Sequence, residues 1–241
     1  IVIPPKKGGI KNDQYAGAYV KDPIVGQHDW IVSFDLNSLY PHLIMQYNIS
    51  PETMVRDHSE LSFGVGVNNI LKSGAEHTYA GCYANIKQLK DLNLSVAANG
   101  TFYRKDKYGF LPKLMEKMYE ERSVYKKKML ECQKQKEKDP DNKELDYKIA
   151  KFNNFQMVRK IQLNSAYGAI GNQWFRYYDV DMAEAITHSG QLSIRWIAEK
   201  LNVFLNQHIG TDNYDYVVAS DTDSVYLRLD KLVDKFVPDK N

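Results

Sequence analysis

The chain has 241 residues, 43% of them hydrophobic and 26% charged, with a formal net charge of +2. Those proportions suit a globular protein and exclude a disordered, collagen-like or coiled-coil chain, and no stretch approaches the ~20 consecutive apolar residues of a membrane-spanning helix. Two cysteines, Cys82 and Cys132, cannot make a disulfide framework, and no Cys/His group has zinc spacing, so both read as free thiols.

In chain order, Pro4-Pro5, Gly8-Gly9 and Pro23 predict loops and short strands over residues 1–30. Residues 30–34 (Trp-Ile-Val-Ser-Phe) predict a buried strand, with Asp35 directly after it. Asn37 or Ser38 can then cap a short helix running through Tyr40, Pro41 and Leu43-Ile44-Met45. Residues 56–100 carry no clear period, until Asn99-Gly100 signals a hairpin turn leading into Thr101-Phe102-Tyr103. From Pro112, Met115, Met118, Tyr125, Met129 and Cys132 recur at helical spacing. Asp139-Pro140-Asp141-Asn142 is a tight reversal, and a second helix from about Lys143 carries Leu145, Ile149, Phe152 and Ile161 as its apolar stripe, weakening at Gly168 and Gly171. These two helices predict an antiparallel hairpin. A third helix is expected from about Met182 to Leu205, followed by apolar strand-like runs at 216–219 and 225–229 around Ser220-Asp221-Thr222-Asp223-Ser224. The order of elements predicts an α+β fold, helices segregated from a mostly antiparallel sheet. Neither end reads as a natural boundary: the chain opens on Ile1 with no leader-like segment and stops at Asn241, which suggests a piece of a longer polypeptide.

Three groups of residues carry chemistry. Asp35 ends one strand, and Asp221 and Asp223 sit at the bend of another hairpin; carboxylates held together need a cation, and hard oxygen donors select magnesium or manganese. An Asp-x-Asp pair alone also occurs in ordinary turns and in glycosyltransferases. On the helical hairpin, Arg122 and Lys126 share one face of the first helix, and Lys160, Asn164 and Tyr167 share one face of the second. Facing each other, they would offer three cations, an amide and a ring to a triphosphate bearing a flat base. Residues 104–160 hold 17 Lys and Arg against 10 Asp and Glu, leaving the rest of the chain net acidic. On charge alone that is a solvated helical face. The third group is Ser38-Leu39-Tyr40-Pro41, where helix-start amides suit phosphate oxygens and the Tyr40 ring could block a 2′-hydroxyl.

Together these segments resemble DNA polymerases of family B. Asp35-Leu36-Asn37-Ser38-Leu39-Tyr40-Pro41, Lys160-Ile161-Gln162-Leu163-Asn164-Ser165-Ala166-Tyr167-Gly168 and Asp221-Thr222-Asp223-Ser224 are similar to that family's three polymerase motifs, in order, and Tyr15-Ala16-Gly17-Ala18 looks like its Tyr-x-Gly-Gly/Ala element. Asn48-Ile49-Ser50-Pro51-Glu52-Thr53 and Phe175-Arg176-Tyr177-Tyr178-Asp179 resemble its T-even-like bacteriophage members most. Two departures are Ser220, where the family usually has glycine, and His42, where many members have serine.

The resemblance implies a palm formed by residues 1–110 and 173–241, interrupted by a fingers hairpin at 111–172, with exonuclease and thumb regions lying outside this chain. It implies template-directed nucleotidyl transfer with two divalent ions, Mg²⁺ or Mn²⁺, bridged by Asp35 and Asp223, with the Leu36 carbonyl as a further ligand and Asp221 close by. It implies that the Ser38, Leu39 and Tyr40 amides hold the triphosphate, with the Tyr40 ring as the sugar gate. Arg122, Lys126 and Lys160 would grip phosphates beside Asn164, Tyr167 and Gly168 would pack on the nascent base pair, and Tyr15 and Gly17 would lie near the template. The implied partners are primer–template DNA, a deoxynucleoside triphosphate and a sliding clamp, in the cytoplasm of an infected bacterial host, without a membrane. Two other readings remain at this stage: a non-catalytic nucleic-acid-binding remnant, and an Asp-x-Asp glycosyltransferase, which leaves Lys160, Asn164 and Tyr167 unexplained.

Overall fold

A computed structural model describes residues 15–56 and 86–237. In chain order it contains β1 (Val20–Lys21), β2 (Ile31–Asp35), α1 (Leu39–Tyr47), β3 (Met54–Val55), β4 (Leu94–Val96), β5 (Phe102–Arg104), α2 (Phe110–Lys138), α3 (Lys143–Ile170), α4 (Val180–Ile209), β6 (Val217–Asp221), β7 (Ser224–Arg228) and α5 (Asp230–Phe236). The strands form two small antiparallel sheets, ordered β1-β6-β7-β2 and β3-β5-β4, so the expected α+β class holds.

The hairpin expected between Tyr216 and Leu229 is β6–β7, with Asp221 opposite Ser224 across its turn and a bulge at Val218. Strand β2 pairs with the outer side of β7, Phe34 against Val225 and Val32 against Leu227. Cross-strand partners share a face, so Val32 and Phe34 point the same way as Val225 and Leu227. The latter two are buried, yet every residue of β2 is exposed. The expectation of a buried strand here is corrected. The sheet's core face is covered by α4, whose Ile194, Leu205 and Ile209 pack against Val217, Val225 and Leu227, and that cover does not extend to β2.

The long helices form the expected antiparallel hairpin. Asn142 starts α3 by accepting hydrogen bonds from the Glu144 and Leu145 amides, the arrangement that satisfies otherwise orphaned first-turn donors. The buried stripe of α3 runs Leu145, Gln156, Leu163 and Ile170. Ile161, expected on that stripe, is 58% exposed. It lies five residues beyond Gln156, about 140° around the helix from it at 3.6 residues per turn. A second core gathers the base of the hairpin (Leu111, Met115, Leu163, Ile170), α1 (Ile44), the small sheet (Tyr103) and the first half of α4 (Met182, Ala183, Ala185, Ile186). Asp179 caps α4 through the Met182 amide and ties to Arg56 at 2.7 Å. The third helix is therefore longer than residues 182–205 and joins both cores. Between β4 and β5 the Asn99-Gly100 turn forms as expected, with Gly100 at φ 89° and the Asn99 side-chain Oδ1 accepting from the Thr101 amide. The strand at 94–96 lies in a stretch whose sequence gave no clear signal, and Cys82 lies outside the described residues. Cys132 is buried and free.

Candidate functional site

The end of β2, the start of α1 and the β6–β7 turn meet at one corner. Asp35 is paired in register with Ser224, and the next amide, Leu36, donates to the Asp223 carbonyl at 2.7 Å. The turn itself is tight: Asp223 N donates to the Asp221 carbonyl at 2.6 Å, and Thr222, at φ 54°, donates its amide to the Tyr19 carbonyl. Ser220 is buried and has no left-handed backbone angle, so a residue other than glycine fits its position. Burial pushes the Asp223 carboxyl up, and the charges of Asp35 and Asp221 push the same way. The turn residue Asp223 therefore lies close enough to the strand-end acids Asp35 and Asp221 to feel both charges.

Ser38 caps α1 differently from the expectation. It sits at φ 56°, ψ 49°, in the left-handed region, and its side chain makes no capping hydrogen bond. Its hydroxyl instead donates to Asn37 Oδ1 at 3.2 Å and accepts from Arg122 Nη1 at 3.2 Å. The first-turn amides of α1 have no intrahelical acceptors and no side-chain cap, which leaves an anion-seeking helix start. Helix α2 is tied to the same corner: Asn37 Nδ2 donates to the Tyr119 hydroxyl, and the Tyr119 ring packs edge-on against His42 at 4.7 Å. Arg122 Nε is buried without a hydrogen-bond partner.

A cavity of about 280 Å³ opens here, lined by Ser38, Leu39, Tyr40 and Pro41 of α1, Asn164 and Tyr167 of α3, and Thr222 and Asp223 of the β6–β7 turn. The three sequence segments singled out above thus share one concave surface. The Tyr40 and Tyr167 rings tilt against each other with centroids 4.7 Å apart, and Tyr15 reaches Tyr167, hydroxyl to hydroxyl, at 3.5 Å. Burial raises both the Tyr40 and Tyr167 hydroxyl pKa values; nearby Asp223 adds to the first, and the Tyr15 contact to the second. Both phenols stay protonated and neutral across ordinary pH. Gly17 is exposed, two residues after Tyr15, its carbonyl accepting from Gln191 Nε2 at 2.5 Å, and Gly168 is exposed in the last turn of α3.

Lys126 and Lys160 are exposed on the hairpin and do not line the cavity; of the three expected cations, Arg122 alone is linked to it, through Ser38. Among the described residues, no group of three or more His, Cys, Asp or Glu is arranged to hold a metal ion. The set on offer is the Asp223 carboxylate with the Asp35 and Asp221 charges close enough to act on it. That suits a magnesium-type ion, which takes few protein ligands and fills its shell with water and phosphate. The mutual repulsion at Asp223 is what such a cation would relieve. Sequence reasoning missed Pro41 and Thr222 as lining residues, although both lie inside quoted motifs, and it missed Tyr119, which sits one helical turn before Arg122 on α2.

Comparison with known proteins then bears on the whole chain. The sequence model of DNA polymerase family B matches residues 1–235. The chain belongs to that family. It is 34% identical to the DNA-directed DNA polymerase of Escherichia phage RB69, an alignment covering 92% of this chain and 27% of that protein. It is 33% identical to the DNA-directed DNA polymerase of Enterobacteria phage T4, covering 96% and 28%. A DNA polymerase beta of African swine fever virus is 29% identical over 92% of this chain and 17% of its own length. The chain therefore spans about a quarter of the phage relatives it matches. No described helix is long and apolar enough to cross a membrane.

Proposed function

We propose that this chain carries the centre for template-directed DNA synthesis, joining a deoxynucleoside triphosphate to a primer 3′-hydroxyl. The observation that carries this reading is the single cavity in which the α1 start, Asn164 and Tyr167 of α3 and the acidic turn meet. The α1 amides and Arg122 bind triphosphate oxygens from one side. Asp35, Asp223, the Leu36 carbonyl and, close by, Asp221 would hold two divalent cations from the other. When bound, such ions supply a lowered pKa at the primer hydroxyl and counter-charge for the triphosphate and departing pyrophosphate. The protein's own share is placement: Tyr40 lies under the sugar, Tyr167 and Gly168 against the base pair, Tyr15 and Gly17 beside the template. Lys126 and Lys160 reach the phosphates once the hairpin swings inward, a closure that small-angle scattering with and without nucleotide and primer–template tests directly.

Family membership gives no support to the glycosyltransferase alternative. The phage relatives support a setting inside an infected bacterial cell; a sliding clamp is a further partner of this reading. The decisive assay is primer extension with Mg²⁺, comparing wild type with Asp223→Ala. We expect a loss of about 10³-fold or more with primer–template binding retained; substantial extension by the mutant would sink the assignment. A binding-only remnant would show no extension in either protein.

A further inference from the structure

We infer that Gly190, in the middle of α4, fixes how far the Tyr40 ring stands into the cavity, and so sets the room left for the nucleotide sugar. The inference rests on the reading of this cavity as a nucleotide site, but its starting point is a contact. A Cβ built on Gly190 would lie 2.9 Å from Tyr40 Cε1 and 3.6 Å from both Tyr40 Cδ1 and Leu39 Cδ2. Carbon atoms settle at ~3.5–4.0 Å, so even an alanine methyl must push the ring by roughly 0.6 Å. Gly190 is buried and its helix belongs to the same core as Ala183, Ala185 and Ile186, so α4 is not free to retreat. The ring is what moves.

The direction of movement follows from the surroundings. Tyr40 lines the cavity and Gly190 does not, so the ring stands between the helix and the cavity, its Cδ1–Cε1 edge against the glycine. Its motion is bounded by Tyr167, whose ring centroid is 4.7 Å away. A ring displaced from Gly190 moves into the cavity and narrows it. Glycine at this position thus seats the ring as far back as α4 permits. Tyr40 would touch the sugar; Gly190 is a positioning residue acting through it. Glycine is disfavoured inside helices by ~1 kcal/mol relative to alanine, so replacement at an ordinary helix site would be neutral or stabilising. Here it should be the reverse.

That inversion supplies a test that needs no activity. In thermal melts, Gly190→Ala is expected to lower the melting temperature by a few degrees, as overpacking does. In the Tyr40→Ala background the same replacement should cost nothing or stabilise, because the obstructing ring is gone. Equal destabilisation in both backgrounds would overturn the inference. The functional arm measures deoxynucleotide and ribonucleotide incorporation by wild type, Tyr40→Ala and Gly190→Ala. Gly190→Ala should raise the KM for deoxynucleotide about five-fold with kcat nearly unchanged, the signature of weakened binding, and should lower the ribonucleotide share further, opposite to Tyr40→Ala. If Tyr40→Ala shifts the sugar ratio and Gly190→Ala shifts neither ratio nor KM, the inference fails while the nucleotide-site reading stands. If Tyr40→Ala itself leaves the ratio unchanged, the sugar-gate reading fails, and the melting cycle still decides the contact.

Discussion

Asp223 shows how a single side chain reports the character of the site. Its carboxyl pKa is raised by burial and then by the neighbouring charges of Asp35 and Asp221. A raised acid pKa means that the folded chain holds this proton more tightly than the unfolded one. The contribution to stability is full below the unfolded-state value and is lost as pH rises through the folded-state value. At neutral pH the ion-free chain therefore carries a penalty at this position. Asp223→Asn should raise the ion-free melting temperature at pH 7, and the gain should shrink toward pH 4. Millimolar Mg²⁺ should raise the melting temperature of wild type more than that of the mutant, since a ligand binding only the folded state stabilises it. Equal responses to Mg²⁺ would argue that Asp223 contacts no cation. At this scale the sequence was informative about which acids matter, because a strand end and a two-residue spacing at a bend are local features. It was silent on Gly190, whose importance lies in the distance to a ring 150 residues earlier in the chain.

Among elements, the helical hairpin was legible because each of its helices has its own period and the turn between them its own breakers. What holds the hairpin's base was not legible, since the partners come from a loop more than fifty residues away. Asn48, buried at the end of α1, donates to the carbonyls of Arg104 and Lys107 at 2.6 and 2.8 Å and accepts from the Gly109 amide at 2.8 Å. Glu52 accepts from the Phe110 amide, and Ser50 donates to Glu52 at 2.6 Å. Segment 48–53, noticed at first only as a likeness to phage sequences, is thus the remote cap of α2. Asn48→Ala leaves the buried Gly109 amide and the part-buried carbonyls of Arg104 and Lys107 without this partner and should cost about 2 kcal/mol in urea unfolding, most of it at the buried amide. Glu52→Gln keeps an acceptor and should cost well under half of that. The fraying should be concentrated at residues 110–113, visible as faster amide exchange there than in the middle of α3. A uniform loss of protection along the chain would mean that the loop supports general stability and not the hairpin base.

For the molecule as a whole, α4 is the organising piece: its first half closes the core beneath the cavity and its second half covers β6 and β7, the strands on either side of the turn that holds Asp223. The coupling of site to core runs through this helix. Within the β1-β6-β7-β2 sheet, the apolar edge strand β2, beside β7, is left exposed. Its β-branched and aromatic residues predicted a buried strand, and the error is physical: composition gives the strand, but which element lies on its faces is a tertiary fact. Phe34, 55% exposed, and its neighbour across the ladder Val225, 1% exposed, make the contrast within one cross-strand pair. Phe34→Ser should therefore change the stability of this chain by less than about 0.5 kcal/mol, whereas Val225→Ala should cost about 2 kcal/mol or more. Both are read from denaturant midpoints at unchanged slope. If Phe34→Ser proved as costly as Val225→Ala, something would have to cover β2 in solution. Sedimentation of the wild-type chain over a range of concentrations would then show whether that cover is a second copy, since an uncovered apolar edge strand is a template for self-pairing.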